Sequence, residues 1–191
     1  MLKLIAALLL VVPASALAQA KPAAAPTYTT NAEMTAIFTA DQADRDAGAK
    51  IDWSVVGPRD LARQARTKAL LDAGALSSGD DFYHAAFVFQ HGGVANDYLL
   101  AHTLAIVAIA RGRNDATWIA TATFDRYLQQ IGQKQIYGTQ YTIPSGEPAT
   151  QEPYDRTLIS DRLRVALDVP DLAAQERRRL KLDAEYRKAG K

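Results

Sequence analysis

Three histidines, His84, His91 and His102, fall within 19 residues of one another, and the chain has no others. Three imidazoles can hold a catalytic zinc ion. Their spacing, however, matches none of the compact zinc patterns such as HExxH, and there is no cysteine to add a thiolate. The expectation is therefore packed or hydrogen-bonded histidines, with no metal and no other cofactor. His102 sits among Leu99, Leu100, Ile106 and alanines, so it must pair with a buried acceptor or line a cavity. Gln90-His91-Gly92-Gly93 closes a helix, where the dipole favours a protonated ring and the glycines admit a ligand or another backbone. A plain C-cap is the simpler reading of the same residues. A general base at His91 or His102, oriented by Asp97, Asp125 or Asp41, would make a hydrolase-like site.

Two further acid and base pairs lie at apolar boundaries. Asp41 and Arg45, four apart, continue the stripe of Met34, Ile37 and Phe38. Asp125-Arg126 lies on a later helix. Such groups imply a buried ion-pair network, kept for structure or for function. Gln135, Tyr137, Gly138, Thr139 and Gln140 crowd neutral hydrogen-bonding groups around one glycine, suited to a carbonyl-rich or sugar-like ligand or to capping helix ends. The chain contains no phosphate-binding glycine loop, no GxSxG elbow and no SxxK pair.

The elements that must position these residues read as helices. A capping box at Thr30-Asn31-Ala32-Glu33 starts the first, which Gly48 stops. Pro58 opens a second that runs to Gly74. A capped short helix covers Asp80 to Gln90. Asn96 caps Asp97–Arg111, apolar almost all round and so expected to be buried by its neighbours as the centre of the fold. Asn114 caps a helix to Ile131 with an apolar arc of Ala120, Phe124, Tyr127, Leu128 and Ile131, flanked by Trp118 and Asp125. A short extended stretch spans 135–141, and a proline-rich loop of the kind that often carries function spans 142–153. A helix over 154–167 and a charged, solvated terminal helix over 171–191 follow. The expected fold is all-α, a single domain over 30–170 of about six helices around the buried central one.

The N-terminus reads as an address. Lys3, the apolar run Leu4–Val12, Pro13 and Ala16-Leu17-Ala18 are the three regions of a signal peptide over 1–18, with cleavage before Gln19 and a flexible leader over 19–29. The apolar run is short of the roughly 20 residues a spanning helix needs, so no membrane span is expected after cleavage. The total of 22 basic against 21 acidic residues loses Lys3 with the signal and becomes balanced. A net charge near zero gives no long-range pull toward nucleic acid. Without cysteine, neither disulfides nor a lipid anchor is available, so stability must come from packing.

Asp41-Gln42-Ala43-Asp44-Arg45, Gln90-His91-Gly92, Asp97-Tyr98, Asp125-Arg126, Gln135-Ile136-Tyr137-Gly138-Thr139-Gln140 and Pro170-Asp171-Leu172 occur in that order. In these landmarks the chain resembles a family of bacterial proteins known as a domain of unknown function. The resemblance spans Asp41 to Leu172 and implies that the polar landmarks form one unit converging on one cleft; it implies no catalytic roles. The expected function is that of a periplasmic or secreted binding or interaction protein whose polar cleft holds a small ligand or peptide. The alternative is a hydrolase-like enzyme using a His/Asp pair in the same cleft.

Overall fold

The computed structural model describes residues 27–188. The expected signal peptide and residues 19–26 of the leader lie outside the described residues. Residues 28 and 29 are seated on the domain: the Arg111 guanidinium lies 3.9 Å over the Tyr28 ring, and the Thr29 carbonyl accepts from Ser77 Oγ.

Seven α-helices occur among the described residues, with no strands. They are α1 (Ala32–Ala43), α2 (Trp53–Asp72), α3 (Gly79–Phe89), α4 (Ala95–Ala110), α5 (Thr117–Gln130), α6 (Asp161–Ala166) and α7 (Leu172–Lys188). The all-α single domain expected from the sequence is the architecture observed. Helix α4 packs between α3 and α5, and α3 also meets α1 and α2. Half of the fourteen residues in the central cluster are alanines, among them Ala85, Ala86, Ala101, Ala105 and Ala108. Small side chains let the helix axes approach closely, while Met34, Leu70, Phe89, Leu104 and Ile119 fill the remaining space.

Several boundaries differ from expectation, each for a local reason. Asn31, not Thr30, caps α1, accepting from the Met34 amide at 3.0 Å. Thr30 instead bonds Ser78 Oγ, and Glu33 turns to Arg66 rather than back to the cap. The helix stops at Ala43, and a 3-10 turn occupies Gly48–Lys50. Helix α2 starts five residues before Pro58, capped by Asp52, which accepts from the Ser54 amide and hydroxyl. Proline is tolerated inside this helix because the carbonyl it leaves unbonded, that of Ser54, lies in an exposed first turn.

Helix α3, expected from Asp80, starts at Gly79 with Ser78 as its cap, and Asp81 returns to the Ser78 amide at 3.0 Å. The same carboxylate accepts from the Asn31 amide at 2.7 Å and so ties the starts of α1 and α3 together. In α4 Val94 occupies the cap position in place of Asn96, because Asp97 reaches back to the Gly93 and Val94 amides. This helix is central but not buried all round. Ala101, Leu104, Ala105 and Ala108 are buried, whereas Leu99 and Ile106 are 38% and 48% exposed. Asn114 lies in a 3-10 turn before α5, and Ile131 ends exposed rather than in an apolar arc.

The helix expected over 154–167 shrinks to α6. Asp155 accepts from the Thr157 and Leu158 amides, an Asx turn that competes with helix, and Tyr154 forms a bridge with Gln135. A second bridge, Thr142 with Thr150, orders the proline-rich segment. Helix α7 is more than a solvated appendage. Gln175 is buried, Arg179 donates to the Ala149 carbonyl at 2.8 Å, and Asp183 accepts from the Ala149 amide.

His84 lies on the inner side of α3, its ring stacked 4.3 Å from Phe38 and its Nδ1 buried without a partner. Burial holds this imidazole below its ordinary value of 6.5; Asp80 and Asp81 work against that and Arg113 with it. The unfolded chain takes up the proton near 6.5 and the folded chain only at lower pH, so the stability involved is complete above that value and lost on acidification from there. Urea midpoints measured at about pH 7.5 and about pH 5.5 are expected to fall further in wild type than in His84→Phe. Equal falls would rule out His84 as the source.

Candidate functional site

The polar residues singled out by type and spacing gather in two separate networks, not in one. The first joins α1, α2 and the end of α3. Asp41 is fully buried. Its Oδ1 accepts from His91 Nδ1 at 3.1 Å and forms an ion pair with Arg45 at 3.2 Å, whose same nitrogen donates to the Asp41 carbonyl at 2.9 Å, while Oδ2 accepts from Gln42 at 2.8 Å. Arg45 donates through Nε to His91 Nε2 at 2.9 Å and through a terminal nitrogen to Asp60 at 2.8 Å. His91 is thus held between a carboxylate and a guanidinium, as the tautomer with its proton on Nδ1.

Helix α2 completes this network with a face of three arginines. Arg59 pairs with Asp44 at 2.8 Å, Arg63 with Asp44 and with Asp60, and Arg66 with Glu33 through two bonds. The Arg63 guanidinium beside Asp44 holds that carboxyl below its ordinary value.

Above the network opens a cleft of about 390 Å³ lined by Arg45, Trp53, Asp60, Gln90, His91, Gly92, Tyr98 and Arg126. Gly92 is required where α3 gives way to α4: a Cβ there would lie 2.3 Å from that of Asp97. The Tyr98 hydroxyl fixes the same corner by donating to the Gly92 carbonyl at 2.7 Å. Arg126 reaches the cleft from α5. Its Nε is buried with no hydrogen-bond partner, and burial pushes its guanidinium below the ordinary value.

The second network organises residues 135–154. Asp125, fully buried on α5, accepts from the Ile136 amide at 2.8 Å, the Tyr137 amide at 3.1 Å, the Thr139 amide at 3.0 Å and the Thr139 hydroxyl at 2.8 Å. Burial, with the Asp125 charge nearby, raises the Tyr137 phenol. Gln135 accepts from the Gln140 amide and donates to the Gln140 and Gln151 carbonyls. Gln175 donates to the Tyr137 and Pro170 carbonyls and accepts from Tyr154 and Gln151. Arg164, fully buried, donates to Tyr154 at 3.1 Å and to the Arg156 carbonyl. Gly138 has φ +82° at the centre, where a Cβ would stand 2.1 Å from Gln175 Oε1.

Of the residues expected to bind a ligand, Arg45, Gln90, His91 and Arg126 therefore meet at the cleft, with Asp41 beneath them. Asp125, Gln135, Tyr137, Gly138, Thr139 and Gln140 do not join them. Their polar groups are taken up by the 135–154 segment itself. Gly138 and Thr139 border a different cavity of about 320 Å³ with Trp118, Tyr141, Pro170 and Arg178. Adjacency in sequence misleads at Asp125-Arg126, because neighbours on a helix point about 100° apart.

The proposed His/Asp pairs with Asp97 or Asp125 are absent among the described residues. Asp97 is occupied at the start of α4, and His102 Nδ1 bonds the Ala120 carbonyl at 2.8 Å, its ring 5.1 Å from Phe124. The pair that does form, His91 with Asp41, has its outer nitrogen occupied by Arg45. Among the described residues no group of three His, Asp or Glu side chains is placed to share a metal ion. Asp60 and Trp53 are the cleft residues that spacing did not reveal. Asp60 could have been found from the three-arginine face of α2, which needs carboxylates to neutralise it. Trp53 was hidden by reading Pro58 as the start of the helix. The chain matches no protein-family model, and searches of curated proteins and of solved structures return nothing similar to it.

Proposed function

We propose that this chain is an exported helical binding protein that takes a small ligand or peptide into the cleft between α2, α3, α4 and α5. The observation that carries the reading is the convergence of Arg45 from beyond the end of α1, Gln90 and His91 from the end of α3, and Arg126 from α5 on one space of about 390 Å³. The network under it holds Arg45 and His91 in place before a ligand arrives, which lowers the ordering cost of binding. Binding is favoured over hydrolysis because His91, the only histidine in the cleft lining, spends both ring nitrogens on Asp41 and Arg45. Export is supported by Lys3, the apolar run to Val12 and the Ala16-Leu17-Ala18 triplet. Five side chains from the polar landmarks, Arg45, Gln90, His91, Tyr98 and Arg126, line this one cleft, which supports the reading.

A fragment library screened by amide and side-chain nitrogen NMR tests it. Hits are expected to shift Gln90, Gly92, Tyr98 and Arg126 together, and Gln90→Ala is expected to weaken them about fivefold to tenfold, the worth of one good hydrogen bond. Hits that cluster elsewhere, or none at all, would overturn the reading.

A further inference from the structure

Among the described residues that line the cleft or lie directly beneath it, charges are paired with one exception. Asp41, Asp44 and Asp60 face Arg45, Arg59 and Arg63, and each of the six takes part in an ion pair. Arg126 is the remaining cation. Among the described residues its buried Nε has no hydrogen-bond partner and no carboxylate forms an ion pair with it. A guanidinium without a partner at such a place is costly to desolvate, and its planar fork matches a carboxylate through two parallel bonds. Gln90, only 7% exposed, lines the same space and adds a neutral donor.

Past His91 and Gly92 the cleft continues into an annex of about 410 Å³ bordered by Trp53, Gly57, Pro58, Leu61 and Gln64. Trp53 and Leu61 are large apolar side chains left 63% and 69% exposed on its rim. One end of the combined space therefore offers a single uncompensated positive charge, and the other offers apolar surface. A dianion such as phosphate is disfavoured, because one surplus cation cannot balance it and Asp60 stands on the border of both spaces.

We propose that the ligand is an organic monoanion, a carboxylate joined to an apolar group, with the carboxylate on Arg126 and Gln90 and the apolar group against Trp53, Pro58 and Leu61. This rests on the reading of the cleft as a binding site and names the class of ligand it takes. The C-terminal residue of a hydrophobic peptide and a free aryl-alkyl acid share this chemistry.

The test uses the protein with N-acetyl-phenylalanine, its uncharged carboxamide, 3-phenylpropanoate and acetate, followed by NMR at the Arg126 Nε–H. N-acetyl-phenylalanine is expected to shift that resonance, with the carboxamide and acetate each at least tenfold weaker. Tighter binding of N-acetyl-phenylalanine than of 3-phenylpropanoate assigns the peptide source, and the reverse order assigns the free acid. Arg126→Met, which keeps the apolar stem, is expected to abolish the difference between acid and carboxamide while melting no lower than wild type. Equal binding of acid and carboxamide would overturn the anionic class yet leave the cleft as a binding site. A marked loss of melting temperature in Arg126→Met would make Arg126 a structural cation and overturn the proposal from the other side. No shift with any probe overturns it as well, and the fragment screen then decides separately whether the cleft binds anything.

Discussion

Asp125→Ala is expected to lower the free energy of unfolding by about 3–5 kcal/mol, a fall in melting temperature on the order of 10 °C for a domain of this size. The substitution strips the partner from three backbone amides and one hydroxyl that all aim at a fully buried carboxylate. The three amides cannot satisfy one another, because each is a donor only. Asp125→Asn is expected to fall between the two, since it keeps one accepting oxygen and sets an amide N–H₂ against the remaining donors. Hydrogen exchange localises the damage: the Ile136, Tyr137 and Thr139 amides should lose protection while those of α3 and α4 keep theirs. Wild-type protection at these three amides, with a melting point within about 2 °C of wild type, would contradict the assignment of Asp125 as the anchor of this segment.

Asp41→Ala is the second large effect, expected at about 2–4 kcal/mol by urea unfolding at neutral pH. It is smaller because Arg45 and Arg63 both retain Asp60, and Arg45 borders an open cleft where water can reach it. A diagnostic readout is the pair of His91 ring nitrogens. In wild type the proton is on Nδ1, facing Asp41; without that acceptor the preference for one tautomer is expected to weaken, seen as convergence of the two nitrogen shifts. Ring shifts unchanged from wild type would show that Asp41 does not set the tautomer.

The helical class and the order of helices were legible because glycines and caps punctuate the chain. Ser78 with Asp81 and the stop near Gln90 are local signals, and local hydrogen bonds honour them. Errors arose where two candidates competed for one role. Thr30 and Asn31 are both good caps, and the tertiary partner Ser78 decides between them. At Asp155 an Asx turn defeats helix propensity by satisfying the amides of Thr157 and Leu158 first. Apolarity all round α4 misread its surroundings, because composition reports what a face is, not whether another element reaches it.

In the site, the pairing of Asp41 with Arg45 was readable from their spacing, whereas their bond to His91, nearly fifty residues on, was not. The division of Asp125 from Arg126 illustrates the same limit. Both are polar neighbours on one helix, yet one serves the loop and the other the cleft, and only the packing of α5 against its two sides separates them.

Gln175 closes the second network from 38 residues beyond Tyr137. Helices α1 to α5 pack on one another across short connections, so their contacts close small loops. The 135–154 segment closes a much larger loop: the Tyr137 and Pro170 carbonyls, Gln151 and Tyr154 all meet the single Gln175 side chain on α7. Helix α7 is thus the keystone of a loop that lies far earlier in the chain, and that half of the protein is complete only once α7 has docked.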